Sequence, residues 1–280
     1  SYLIGLIYDV PTLHMNDVQK GILGVCADAG YDIVVHPCEV HSRDLVKDVR
    51  AFVQRSNVDG VIMLPPVSEI PEVTDALDKT GIPHVHFASE LSTDPWRLVV
   101  TNYGPAVTDM TNHLVSLGHS KIGFISGPMD SVSSRKRQQA FVDALQRHGL
   151  ELPENYIVEG AFTYESGVAA ARKLLASEDR PTAIFAANDE MAFGVMNVAD
   201  ELGIKVPDDL SVVGFDGTNF ATFVIPSLST IRRPSREMAR LGAQKLLALI
   251  NDGADAARAF EVMVSPQFVP RDSTGPAPGD

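Results

Sequence analysis

Asp216 ends the apolar run that starts at Ser211 and stands directly before Gly217. A carboxylate there can accept hydrogen bonds from two neighbouring hydroxyls, and charge-assisted bonds are roughly twice as strong as neutral ones. An aspartate before a glycine is equally an ordinary turn former. Arg137 opens a helical stretch after the serine-rich loop Ser131-Val132-Ser133-Ser134. Its planar fork can hold ring and hydroxyl oxygens or a carboxylate, although a helical arginine also sits comfortably in solvent. Asn188 follows an apolar run and precedes a helix, where it can cap through one function and offer its amide to a ligand; Asp189 is the alternative cap. Phe162, just after Gly160, can stack on the apolar face of a sugar or a base, or pack in a core.

Other chemistries lack their residues. No G-x-x-x-x-G-K-[ST] phosphate loop is present, and no G-x-G-x-x-G follows a strand. In Gly123-Phe124-Ile125-Ser126-Gly127 the serine falls one place too late for a nucleophile elbow. There is no C-x-x-C and no H-E-x-x-H. His84 and His86 would share one face of a strand, an arrangement that can hold a metal but is more simply packed; the other histidines lack ligand spacing. No nucleophile–base pair stands out. The expectation is a binding protein and not an enzyme, with no metal and no cofactor.

These residues need elements to position them. Leu3–Tyr8 reads as a buried strand, and Val18, Ile22, Val25 and Ala29 then mark one helical face that Gly30 can end. Strand and helix patterns alternate onward: strand Asp32–His36, helix around Leu45–Val53, strand Val58–Leu64, helix Ile70–Leu77 and strand Pro83–Phe87. A second series begins with the face Val107, Met110, Thr111 and Leu114, stopping at Gly118. It continues with strand Lys121–Ser126, helix Ser133–His148, helix Thr163–Ala176, strand Thr182–Ala186, helix Met191–Leu202 and strand Ser211–Phe215. Repeated strand–helix units imply parallel sheets with helices on both faces, hence two doubly wound α/β lobes. Ligands of such sheets sit beyond the carboxyl ends of the strands, where Asp216 and Asn188 fall. Late elements, strand Leu228–Ile231, helix Arg236–Ile250 and strand Phe260–Val264, can return to complete the first lobe. The polar tail Ser273–Asp280, rich in glycine and proline, is expected to be disordered.

The 280 residues suffice for two lobes, with 45% hydrophobic and 21% charged residues, the balance of a soluble globular chain. A formal net charge of -13 opposes direct contact with a phosphate backbone. No apolar stretch reaches the ~20 residues that span a bilayer, and Ser1-Tyr2-Leu3-Ile4-Gly5 lacks the basic start of a signal peptide. Cys26 and Cys38 read as buried thiols in preference to a disulfide.

Four stretches, in order, resemble the LacI/GalR family of transcription regulators. They are Leu117-Gly118-His119-Ser120-Lys121-Ile122-Gly123-Phe124-Ile125-Ser126-Gly127; Arg137-Gln138-Gln139-Ala140-Phe141; Pro181-Thr182-Ala183-Ile184-Phe185-Ala186-Ala187-Asn188-Asp189-Glu190-Met191-Ala192; and Val206-Pro207-Asp208-Asp209-Leu210-Ser211-Val212-Val213-Gly214-Phe215-Asp216, followed by Pro226-Ser227-Leu228-Ser229-Thr230-Ile231. The resemblance runs from Leu3 to about Arg271. It implies a periplasmic-binding-protein-like fold with three crossovers and a ligand cleft between lobes. The first lobe would be 1–117 plus 233–262 and the second 118–232 plus 263–280.

The same resemblance points to a small effector: a sugar, sugar phosphate or related molecule. It implies contacts from Asp216, Arg137, Asn188 and Phe162, from Ser133 in the loop before Arg137, and from Asn102, which could also be only a helix cap. In the first lobe the loop Asp9–Met15 would face the ligand, with Tyr8, Asp9 and His14 as candidates. Arg233 stands where the family commonly has a glutamine; it could select an anionic ligand or form an ion pair between lobes. The family reads operator DNA through an N-terminal helix-turn-helix that is absent here, which implies a truncated or proteolysed form. A cytoplasmic homodimer is expected, joined through the helix at 17–29 and segment 68–79, because Val67, Ile70 and Val73 have no evident internal role. The alternative is a periplasmic sugar-binding protein of a transporter, which shares the fold.

Overall fold

A computed structural model describes residues 1–9, 12–91, 95–261 and 263–279. The chain begins with β1 (Leu3–Tyr8), α1 (Met15–Asp28), β2 (Asp32–Pro37), α2 (Leu45–Ser56), β3 (Gly60–Met63), α3 (Pro71–Thr80), β4 (His84–Ala88) and β5 (Leu98–Thr101). There follow α4 (Gly104–Ser116), β6 (Ile122–Ser126), α5 (Val132–Gln146), β7 (Ile157–Glu159), α6 (Tyr164–Leu175), β8 (Ala183–Ala186), α7 (Asp189–Glu201), β9 (Ser211–Asp216) and β10 (Ser229–Arg232). The last elements are α8 (Ser235–Asp252), α9 (Ala254–Arg258), β11 (Met263–Val264) and β12 (Gln267–Val269).

Two compact units result: Ser1–Asn102 with Pro234–Val264, and Tyr103–Arg233 with Ser265–Asp280. The chain therefore passes from one to the other three times. The first unit holds a six-stranded sheet in the order β11-β5-β4-β3-β1-β2, with every pairing parallel. Strands covered on both faces read as continuous apolar runs, and β3 and β4 are buried at every position. The edge strand β2 is partly exposed throughout. Helix α1 buries Met15, Val18, Gly21, Ile22 and Cys26. It lies so close to α8 that a Cβ at Gly21 would overlap the Arg236 carbonyl. Both cysteines are free and buried.

The second unit has the sheet β12-β10-β9-β8-β6-β7, parallel except for the antiparallel β10–β12 pair. Phe124, Phe141 and Phe185 form its aromatic centre, with ring centroids 5.3–5.5 Å apart. Offset rings of this kind add about 0.5–1.5 kcal/mol per pair beyond area burial.

The structure departs from the expected organisation in four places. The helix around 104–117 belongs to the second unit, because Val107, Met110 and Leu114 join the core containing Phe124 and Phe141. The first unit extends to Val264, where β11 pairs with β5; Val262, in the expected strand Phe260–Val264, lies outside the described residues. The tail is tied down through residue 277. Ser273 is fully buried, its N–H donating to the Ser227 carbonyl and its Oγ to Val212 O at 2.6 Å, while Ala277 N–H donates to Leu117 O at 2.8 Å. The ties come from Ser273, Gly275 and Ala277, which keep their N–H groups between the prolines; Asp280 lies outside the described residues. Val67 and Val73 are fully buried within the first unit and Ile70 packs against the same cluster, so they have an internal role. Among the exposed large apolar side chains of the described residues, Phe220, Phe223 and Ile225 fall within six consecutive residues, and Phe223 and Ile225 are the most exposed of all.

Candidate functional site

In the second unit β6, β7, β8, β9 and β10 run parallel, so the loops leaving their carboxyl ends emerge along one edge. Arg137, Phe162, Asn188, Asp216 and Arg233 all stand on those loops or just beyond them, with Ser133 in the first turn of α5.

Arg137 is 3% exposed, unusual for a residue with a delocalised charge. Its guanidinium carbon lies 3.7 Å from the Phe215 ring centroid, 5.0 Å from Tyr103 and 5.8 Å from Phe162. Three aromatic faces thus offset part of the cost of taking the cation out of water. Nη1 donates to the Ala187 carbonyl, and Nε is buried with no hydrogen-bond partner. Burial presses the pKa of Arg137 down; Tyr103 and Asp216 favour its charge and Arg233 opposes it.

Asp216 is 9% exposed and holds φ at +109°. Tyr2, Asn57, Phe162 and Asp216 are the non-glycine residues with positive φ among those described, so two of the four fall at this edge. Backbone held in a sparsely populated region costs of order 1–3 kcal/mol and persists only where its surroundings over-determine it. Here the determinants are visible. Arg232 pairs opposite Asp216 in the β10 register, and Arg233 N–H donates to Asp216 O at 3.0 Å. Gly217 follows at φ +68°, where a Cβ would meet the Arg232 side chain at 2.6 Å. Arg233 Nη1 lies 3.4 Å from Asp216 Oδ1, at the long end of a hydrogen bond, and Arg233 Nε is buried without a partner.

Phe162, at φ +61°, lays its ring over Gly127, leaving no room there for a Cβ. Asn188 holds it. Asn188 Oδ1 caps α7 by accepting from Met191 N–H at 2.9 Å, and Nδ2 donates to Phe162 O at 2.8 Å. The cap and the ligand-facing amide weighed from sequence become a cap and a brace. Ser133 is buried, with its Oγ 2.9 Å from that of Ser131. The Oγ atoms of Ser126 and Ser134, near the same edge, are buried without partners.

Asp189 is the residue that the sequence reading undervalued. It is 1% exposed and does not cap α7. Its Oδ2 accepts from Thr218 N–H at 2.7 Å and from Thr218 Oγ at 3.0 Å, and its Oδ1 accepts from Thr230 Oγ at 2.6 Å. It thereby ties the loop beyond Asp216 to β10, and Gly214 is small because a Cβ there would overlap Oδ1. Burial first, and then the nearby charge of Asp216, push its pKa up to about 7. Tyr103, beside Arg137, was also missed; its place just before Gly104-Pro105 gives no sequence signal beyond a helix start.

The first-unit candidates have local roles. Tyr8 is 8% exposed within the core, and its carbonyl accepts from Cys38 N–H at 2.9 Å. Asp9 Oδ1 accepts from Val40 N–H at 3.3 Å. His14 Nδ1 lies 2.8 Å from Thr12 Oγ1. Val10 and Pro11, in the same expected loop, lie outside the described residues. Asn102 N–H donates to Val264 O at 2.9 Å, and the cap position of α4 falls to Tyr103 without a side-chain cap bond. Both ring nitrogens of His84 are engaged, Nδ1 with Ile82 O at 2.8 Å and Nε2 with Arg97 at 2.9 Å. Among the described residues no group of three or more His, Cys, Asp or Glu side chains could hold a metal, and no helix is long and apolar enough to cross a membrane.

Residues 111–274 match the periplasmic binding protein-like domain family. The chain is similar to the catabolite control protein A of Priestia megaterium, 32% identical over 248 residues that cover 88% of this chain and 74% of that one. Among solved structures it is similar to a complex of the transcriptional regulator CelR with cellobiose, with a TM-score of 0.85 and 25% identity, covering 98% of this chain and 84% of that one. It is equally similar to a dimeric Lac repressor with a C-terminal deletion: TM-score 0.85, 26% identity, 98% and 99% covered.

Proposed function

Since the chain belongs to the LacI/GalR family of transcription regulators and forms its effector-binding core, we propose that it senses a small sugar-like molecule at the strand-end edge of its second unit. The observation that carries this reading is the convergence of Arg137, Asp216 and Arg233 on one buried edge, with Asp216 held in a strained backbone conformation. In this reading Asp216 accepts from ligand hydroxyls, the Arg137 fork donates to ligand oxygens, and Phe162 and Tyr103 pack against apolar carbon. Ser133 adds a hydroxyl, while Asn188 and Asp189 position their neighbours. A relative in complex with cellobiose supports the ligand class. The protein acts as a homodimer in the cytoplasm, where ligand binding governs operator occupancy by a helix-turn-helix module, and it catalyses no reaction.

Calorimetric titration against sugars and their derivatives tests the reading. Asp216→Asn keeps the shape and removes the charge; Arg137→Lys keeps the charge and removes the fork. Each should weaken a confirmed ligand ten- to a hundredfold, the loss of about 1.5–3 kcal/mol expected for a charged hydrogen bond. Binding within twofold of the parent in both variants places the ligand elsewhere.

A further inference from the structure

Two guanidinium groups at this edge share the field of one carboxylate. Arg137 donates to the Ala187 carbonyl and lies beside Tyr103, and Arg233 reaches Asp216 at 3.4 Å. Each guanidinium keeps a buried Nε with no hydrogen-bond partner. Arg233 is not a stray surface cation: its N–H is bound to Asp216 O, so the end of β10 places it beside that carboxylate. The second carboxyl of the neighbourhood, Asp189, is already satisfied by Thr218 and Thr230. Its pKa near 7 leaves it only partly charged at neutral pH. Two cations against one carboxylate and a fraction of another is a positive excess in a poorly hydrated place, which is costly unless an anion completes it.

A neutral sugar supplies hydroxyls but no charge. We propose that the effector carries an anionic oxygen group, a carboxylate or a phosphate ester on a sugar-sized molecule, and that Arg137 and Arg233 bind it through their unpartnered donors. Planar or tetrahedral oxyanions suit the guanidinium fork, which presents parallel N–H groups to two oxygens. Asp216 then serves the hydroxyls of the same molecule, and the two halves of the site read different ends of one ligand. This rests on the reading that the strand-end edge is the effector site.

Glucuronate, glucose 6-phosphate and glucose differ only at C6, and inorganic phosphate probes the anionic group alone. Thermal shift and calorimetry of the protein with each, against chloride at matched ionic strength, test the proposal. Stabilisation by phosphate or by either anionic derivative beyond glucose is expected, and the tighter of the two derivatives distinguishes carboxylate from phosphate. Arg233→Gln should weaken that anion roughly tenfold or more. Arg172→Gln, which removes an exposed cation paired with Glu201, should leave it unchanged. No anion-specific stabilisation over chloride overturns the proposal. Glucose binding as tightly as its anionic derivatives, with loss in Asp216→Asn but not in Arg233→Gln, overturns it while the effector site stands. Anion binding untouched by Arg137→Lys, Asp216→Asn and Arg233→Gln removes both.

Discussion

Asp189→Asn should flatten a pH dependence that the second unit otherwise carries. In the folded protein the Asp189 carboxyl is pushed up to about 7 by burial and by Asp216, against an ordinary value of 3.8. Between those two values the folded carboxyl holds a proton that the unfolded one has released. Stability from this group is therefore greatest at low pH, falls as pH rises through the window, and levels off above about 7. From pH 8 down to pH 5 about two pH units of the window are crossed, at 1.36 kcal/mol each, so the gain is about 2.7 kcal/mol. The proton has a definite place. Oδ2 is bound by a backbone N–H, which can only donate, whereas Oδ1 faces the Thr230 hydroxyl, which can reverse and accept. The amide of Asp189→Asn can reproduce that pattern with Nδ2 toward Thr230 and Oδ1 toward Thr218, so the variant folds. Urea unfolding followed by circular dichroism, at pH 8 and pH 5, measures both proteins, and the difference between them cancels every other titrating group. The parent should gain about 2–3 kcal/mol over the variant on acidification. Parallel changes within about 0.5 kcal/mol, or a gain by the variant, would refute the argument.

The first unit should respond to acid with the opposite sign. Burial first, then His84 and Arg97, push His86 down to about 3 from 6.5, so the unfolded ring takes up a proton that the folded ring refuses. Stability is then lost as pH falls below 6.5, by about 2 kcal/mol from pH 7.5 to pH 5. His86→Phe should remove that slope in hydrogen exchange of the β3 and β4 peptides, and an unchanged slope counts against it. Phe223 and Ile225 are 71% and 96% exposed, and burying them in a subunit contact would remove that apolar surface from water. Sedimentation velocity at micromolar concentration should show a homodimer that Phe223→Ser with Ile225→Ser converts to monomer; a parent that is monomeric throughout sinks that assignment.

The junctions that hold Asp216 and Arg137, the end of an apolar run and a helix start after a serine-rich loop, were legible, but position alone left each with an ordinary structural reading, and the ligand role came from the family resemblance. Their neighbours were harder to read. An aspartate after an asparagine at a helix start reads as a capping signal in either position, and only the approach of Thr218 and Thr230 shows that Asp189 is a lock. The face Val107, Met110 and Leu114 announced a buried helix but not which of two similar sheets would bury it. Strands β7 and β12 have three residues each, too few for any period to register. The tail misled through composition: Ser273, Thr274 and Gly275 are polar and small, yet they hydrogen-bond to Ser227, Ser229, Ser211 and His119.

The three passages of the chain between units set an order for its synthesis. Residues emerge from the ribosome in sequence, and domains fold as units once their parts are available. The first unit cannot close its core when its opening 102 residues have appeared, because Met238, Ala239, Ala243, Leu246 and Leu247 of α8 belong to that core. The second unit has every core residue of its central cluster by Ile231. The half that begins first thus closes its central core after the other, although β12 and the tail are added to the second unit later still. Until α8 arrives, the faces of α1, β3 and β4 that it will cover stay open to proteases and to other nascent chains.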